Sequence, residues 1–184
     1  MKKASNVGYI LRLTLTLLLI ASLAAAALGG VNAITKERIA ENKEAKTRQA
    51  LSEVLPGAEG MTLVDAGSGM VQAVYAPDKD SAVQGWAVQV APTSGFGGTI
   101  VMIVGVDSEG KVSGISVVSH AETPGLGAVA AAATPAGESF RGSFYGKSGS
   151  LGIDDIDAMS GATITSKAVL DGVNAALDYV AGMQ

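Results

Sequence analysis

The stretch GGTIVMIVGV-DSEG-KVSGISVVSH, residues 97–120, decides how the body of this chain folds. Two runs rich in Val and Ile flank DSEG, a short polar turn that ends in Gly110. β-branched residues bounded by such a turn predict an antiparallel hairpin. Upstream, GWAVQVAP (85–92) alternates Trp86, Val88 and Val90 against Ala87 and Gln89. MTLVD (61–65) and MVQAVYA (70–76) flank AGSG, a second hairpin signal. A meandering antiparallel sheet is the expected result.

Downstream the pattern weakens. Residues 121–157 are rich in Gly, Ala and Ser, with a short helix expected near 128–133. So long a weakly patterned segment in a compact domain is usually functional or disordered. The chain then ends in a helix expected from about Ser166, because Val169, Leu170, Val173, Leu177 and Val180 recur at helical spacing. The expected fold class is α+β, with this helix closing on the sheet.

The other end of the chain reads differently. After Lys2, Lys3 and Arg12, residues 13–33 (LTLTLLLIASLAAAALGGVNA) carry no charge over 21 positions. About 20 apolar residues suffice for a helix to cross the hydrocarbon layer. A secretory signal cleaved after VNA, at Ala33, is the competing reading, and the run is longer than the apolar centre of such signals. Lys36, Arg38, Lys43, Lys46 and Arg48 follow closely, so both flanks are basic and charge alone leaves the orientation open. From Thr35 to Leu55 the chain reads as a helical stalk, stopped by Pro56 and Gly57. The expected organisation is a cytoplasmic N-terminus and transmembrane helix (1–34), a stalk (35–57) and a body (58–184).

Composition narrows the chemistry. The first 48 residues hold 8 of the 13 basic and 3 of the 17 acidic side chains, leaving an acidic body that disfavours nucleic acid as a partner. No cysteine is present, which excludes disulfides and thiolate-held zinc or iron–sulfur clusters. His120 is the single histidine, so a His-rich metal site is excluded. No GxxxxGK[ST] stretch cradles a nucleotide, and GLGAVA follows no strand–turn–helix unit. No nucleophile elbow accompanies His120 to suggest a hydrolase. Asp154, Asp155 and Asp157 lack the spacing of a calcium loop and read as a solvated turn.

One stretch remains, DAMSGATITSKAV, residues 157–169. Helix N-termini leave backbone N–H groups unpaired and attract phosphate. Ser160, Gly161, Ala162 and Thr163 lie just before the expected first turn. Gly161 and Ala162 allow close approach to the backbone, with Thr165 or Ser166 as the expected cap. By itself the tetrapeptide reads better as an ordinary loop entering a helix.

DAMSGAT resembles the flavinylation motif of the FMN-binding domain family: Asp, two variable residues, Ser or Thr, Gly, Ala, Thr. SHAETPGLGA (119–128) is similar to a second segment of that family, and residues 85–120 to its central hairpin. The likeness covers essentially the whole chain and runs towards RnfG subunits of ferredoxin–NAD oxidoreductase (Rnf) complexes. The alternative is the related NqrC subunits of sodium-pumping NADH–quinone reductases, which are typically longer. Ala121 stands where RnfG sequences often have Lys.

The resemblance implies that Thr163 carries FMN covalently through a phosphoester, attached from FAD by a magnesium-dependent flavin transferase. It implies that Asp157 orients the loop or presents the hydroxyl. It also implies that Glu122 and Thr123 hydrogen-bond the flavin ring or ribityl chain, and that Leu126, between Gly125 and Gly127, packs on the ring. Gly97 and Gly98 are weaker candidates for close approach. The implied partners are the other subunits of an ion-translocating electron-transport complex, the transferase and the bilayer. The implied place is the cell membrane, single-pass, with the flavin domain on the outer face. A noncatalytic membrane-anchored flavin sensor or scaffold, and a secreted soluble flavoprotein, are the other readings.

Overall fold

A computed structural model describes residues 3–183. The chain divides into two units, one reaching to Glu44 and one beginning at Ala45.

The described residues of the first unit all lie within α1 (Lys3–Val54). Its apolar side chains, among them Leu11, Leu15, Leu19 and Leu23, are exposed. Among the described residues α1 is the one helix long and apolar enough to cross a membrane. The expected span and stalk are thus one helix. Gly29 and Gly30 do not break it, since a glycine costs a helix only about 1 kcal/mol and no proline follows before Pro56.

In the second unit the last turns of α1 are core. Ala50, Leu51, Val54 and Leu55 are buried together with Ala87, Ile103 and Val118. They cover one face of a five-stranded sheet, β1 (Thr62–Asp65), β2 (Val71–Ala76), β3 (Gly85–Val90), β4 (Val101–Asp107) and β5 (Val112–Ser119). Each strand pairs antiparallel with the next in chain order, the expected meander. Both hairpins form where AGSG and DSEG predict them.

The other face carries α3 (Thr163–Ala181). Val169, Val173, Ala176 and Val180 pack there on Val88, Val90, Met102 and Val104. With both faces covered, β4 reads as a continuous apolar run.

The helix end comes very close to the sheet. Gly105 and Gly114 are cross-strand partners, and a Cβ on either would run into the backbone of Val54. Ser113 Oγ donates to the Val54 carbonyl at 2.7 Å, and Ser116 Oγ donates to Glu53 at 2.7 Å. Side-chain hydroxyls thereby satisfy carbonyl and carboxylate oxygens at the helix end.

The weakly patterned segment is ordered. Its short helix is a 3₁₀ turn, Gly127–Ala131, rather than the expected 128–133. An unexpected helix follows, α2 (Pro135–Gly142), with Thr134 as N-cap accepting from Gly137 N–H at 3.3 Å and Pro135 in the first turn. Phe140 and Phe144 hold it on the core edge-to-face, with ring centroids 5.5 Å apart. Asn174 pins residues 148–152, accepting from Leu151 N–H and donating to Leu151 O, each at 2.9 Å.

At the sheet edge Tyr179 Oη donates to Asp65 Oδ2 at 2.9 Å, tying α3 to β1. That bond, then the Gly67 N–H, holds the Asp65 carboxyl below its ordinary value, and the same bond raises the Tyr179 phenol. A depressed carboxylate contributes stability above its unfolded pKa and loses it as pH falls through the folded value. A raised phenol contributes below its unfolded pKa and loses it as pH rises through the folded value. The tether therefore acts between about pH 4 and pH 10. Melting curves of wild type and Tyr179→Phe should differ across that window and converge at both ends.

Candidate flavin site

Two tight turns build the site, each made by the glycine its conformation requires. In Thr123-Pro124-Gly125-Leu126, Leu126 N–H donates to Thr123 O at 3.2 Å, with Gly125 at φ +76°. In Met159-Ser160-Gly161-Ala162, Ala162 N–H donates to Met159 O at 3.1 Å, with Gly161 at φ +75°. A one-to-four bond with positive φ at the third residue is the type II arrangement, and L side chains resist that position. The first turn ends in Leu126 and the second leads directly into α3.

The start of α3 differs from the expectation. The helix begins at Thr163, three residues before Ser166, with Ala162 at the N-cap position and no side-chain cap. Thr165 and Ser166 are not caps. They are buried in the first turn of the helix. Ser166 Oγ donates to Ala162 O at 3.0 Å and accepts from Met159 N–H at 3.0 Å, clamping the SGAT turn to the helix. Hydroxyls this close to a helix start read locally as caps. Their burial is a tertiary effect that spacing does not carry.

A cavity of about 320 Å³ opens between the two turns, within the usual range for small-molecule sites. Glu122, Thr123, Leu126, Gly127, Gly161, Ala162 and Thr163 all line it. Asp157 and Ser160 do not. They line a neighbouring hollow that shares Leu126 with the cavity and also includes Gly125 and Met159. Sequence reading missed Phe96, Ile164 and Thr165 as cavity residues. Phe96 is 70 % exposed and Ile164 53 %. Exposed apolar side chains beside a concave apolar surface mark a binding site. The sequence signal for Phe96 is its place within GFGG, an aromatic ring set among glycines that leave it uncovered.

The polar atoms of the site differ in availability. Thr163 is exposed at the first residue of α3. Thr165 Oγ1 is buried and donates to Glu122 Oε2 at 2.5 Å. Glu122 is 5 % exposed, and its other oxygen accepts from Gly97 N–H at 2.9 Å. Gly97 thus approaches the Glu122 carboxylate through its backbone N–H. A Cβ on Gly127 would overlap both the Glu122 carboxylate and the Thr165 hydroxyl, so glycine is needed there. His120 is engaged as well, its Nδ1 accepting from Glu122 N–H at 3.2 Å.

Known proteins share this arrangement of sequence. Residues 95–178 match the FMN-binding domain family, and residues 1–54 match the RnfG N-terminal region. The G subunit of the Na(+)-translocating ferredoxin:NAD(+) oxidoreductase complex of Acetobacterium woodii is 33 % identical, over 90 % of this chain and 88 % of its own. This chain belongs to the RnfG family. The family extends widely. The G subunit of the ion-translocating oxidoreductase complex of Methanosarcina acetivorans is 30 % identical, over 95 % of this chain and 96 % of its own. Its counterpart in the proton-translocating complex of Clostridium ljungdahlii is 42 % identical over 58 % of each chain. Both turns and the whole cavity fall within the part matched by the FMN-binding domain, and the apolar run of α1 within the RnfG N-terminal region.

Proposed function

We propose that this chain is the membrane-anchored, FMN-carrying subunit of an Rnf-type ion-translocating ferredoxin–NAD oxidoreductase complex, with FMN esterified through its phosphate to Thr163 Oγ1. The observation that carries the attachment site is the contrast among the three hydroxyls in the first turn of α3. Thr163 is exposed at the mouth of the cavity, whereas Thr165 and Ser166 are buried and already hydrogen-bonded.

The residues present fit the group. Phe96, Leu126, Ala162 and Ile164 offer apolar surface for a planar ring. α3 starts without a side-chain cap, so its first N–H groups and positive end face the side where a phosphodiester on Thr163 is needed. When bound, the flavin supplies one- and two-electron chemistry. The protein's part is to bind, orient and shield it. Asp157 lines the neighbouring hollow and not the cavity, a place that suits presenting the loop during attachment better than contact with the ring.

A Thr hydroxyl is a weak nucleophile at neutral pH, so attachment needs an enzyme to activate it. In the proposed step a magnesium-dependent transferase removes the Thr163 proton. The Oγ1–phosphorus bond forms, the pyrophosphate bond of FAD breaks, and AMP leaves. A covalent link suits a body placed on the outer face of the membrane, where free FMN is scarce. The span within α1 anchors it, and the other subunits of the complex supply and withdraw electrons.

Intact-mass measurement on chain purified with the transferase coexpressed tests both ends of the proposal. The expected mass is that of the full chain plus one FMN less one water. A chain shortened after Ala33 would overturn the membrane anchor, and an unmodified mass would overturn the attachment.

A further inference from the structure

Among the described residues that line the cavity, Glu122 is the only one with an ionisable side chain. It is 5 % exposed, and each of its oxygens accepts one hydrogen bond, from Gly97 N–H at 2.9 Å and from Thr165 Oγ1 at 2.5 Å. The packing leaves it little room to turn away, because a single Cβ on Gly127 would already overlap the carboxylate. The flavin hydrogen bond expected of Glu122 thus competes with two bonds inside the protein.

We propose that Glu122 is a positioning residue that sets the flavin's reduction potential by its charge, with Thr165 as the donor that moderates it. The inference rests on the FMN reading above. Electrons added to a flavin raise its negative charge. A fixed anion in a poorly hydrated cavity opposes that change and holds the potential low. The Thr165 hydroxyl dipole points at the carboxylate and offsets part of the field. The same bond joins the 119–128 segment to the first turn of α3, two residues from Thr163.

Two substitutions should move the potential in opposite directions. Glu122→Gln is nearly isosteric. Its amide oxygen can accept from Gly97 while its NH₂ donates to a Thr165 hydroxyl turned to accept. With the charge gone, the midpoint should shift to less negative values. Thr165→Val keeps the charge and removes its donor, and the midpoint should shift to more negative values. Thr165→Ser restores the hydroxyl and should return the wild-type midpoint.

The measurement is a spectroelectrochemical titration of the detergent-solubilised full chain, after flavin loading is read on a denaturing gel. An unchanged midpoint in Glu122→Gln, or shifts of the same sign in Glu122→Gln and Thr165→Val, would overturn the proposal. A purely structural role predicts that second pattern. Should Glu122→Gln fail to load, the Val and Ser variants at position 165 decide by the sign of the Val shift and its reversal by Ser. A wild-type chain without covalent flavin would overturn the attachment reading alone, and the same titrations with added FMN would then decide this one.

Discussion

Replacing Thr163 by valine abolishes the ultraviolet-fluorescent band on a denaturing gel, with the transferase coexpressed and the protein otherwise intact. Valine matches threonine in shape and branching and removes only the oxygen, so the first turn of α3 keeps its packing. Thr163 is exposed, and surface substitutions away from caps and networks usually stay within about 0.5 kcal/mol. The melting temperature should therefore hardly move while labelling falls to background.

The other hydroxyls between Ser160 and Ser166 do not take over. Thr165 is committed to Glu122, and Ser166 to Ala162 and Met159. Ser160 is exposed, but it lines the neighbouring hollow and not the cavity. A fluorescent band surviving in Thr163→Val would refute the attachment site, and peptide mapping would show which hydroxyl had accepted the flavin.

The second large effect is on stability and leaves the flavin in place. Gly114→Val sets a Cβ 2.8 Å from Val54 Cα, well inside contact distance and against backbone that cannot rotate away. The end of α1 must lift from the sheet, loosening the cluster of Leu51, Val54, Leu55, Ile103 and Val118. Overpacking of this kind costs roughly 3 kcal/mol. For a body of this size the expected fall in melting temperature is about 10 °C. α3 packs on the other face of the sheet and none of the cavity-lining residues belongs to the α1 cluster, so gel fluorescence of protein grown at low temperature should match wild type. An unchanged melting temperature would mean that the helix end does not seat against Gly105 and Gly114.

These two results separate what was legible in the sequence from what was not. The hairpins were legible because β-branched alternation and Gly-containing turns are local signals, and both formed as expected. The apolar span was legible from its length alone. α2 was readable in principle, since Thr134-Pro135 with Glu138 is a local helix start, but the small residues around it masked its short apolar face. Gly105 and Gly114 read only as interruptions in strands. Their purpose depends on a helix end more than fifty residues earlier in the chain.

The candidate site divides in the same way. Its two motifs were legible through their resemblance to the FMN-binding domain family, and the structure shows that each is a four-residue turn whose glycine adopts positive φ. By itself the sequence determined the hairpins and the terminal helix, the membrane-spanning length of the first helix, and the threonine that closes the motif begun at Asp157. Only the tertiary structure decided which hydroxyls are exposed, that Phe96 and Ile164 join the cavity, and that Asp157 lines a neighbouring hollow instead. It also placed the Glu122 carboxyl group, buried beside the cavity, between Gly97 and Thr165. The physical reason is range. Turns and periodicities arise from sterics between near neighbours, whereas exposure and charge environment arise where segments 25 and 43 residues apart meet on one carboxylate.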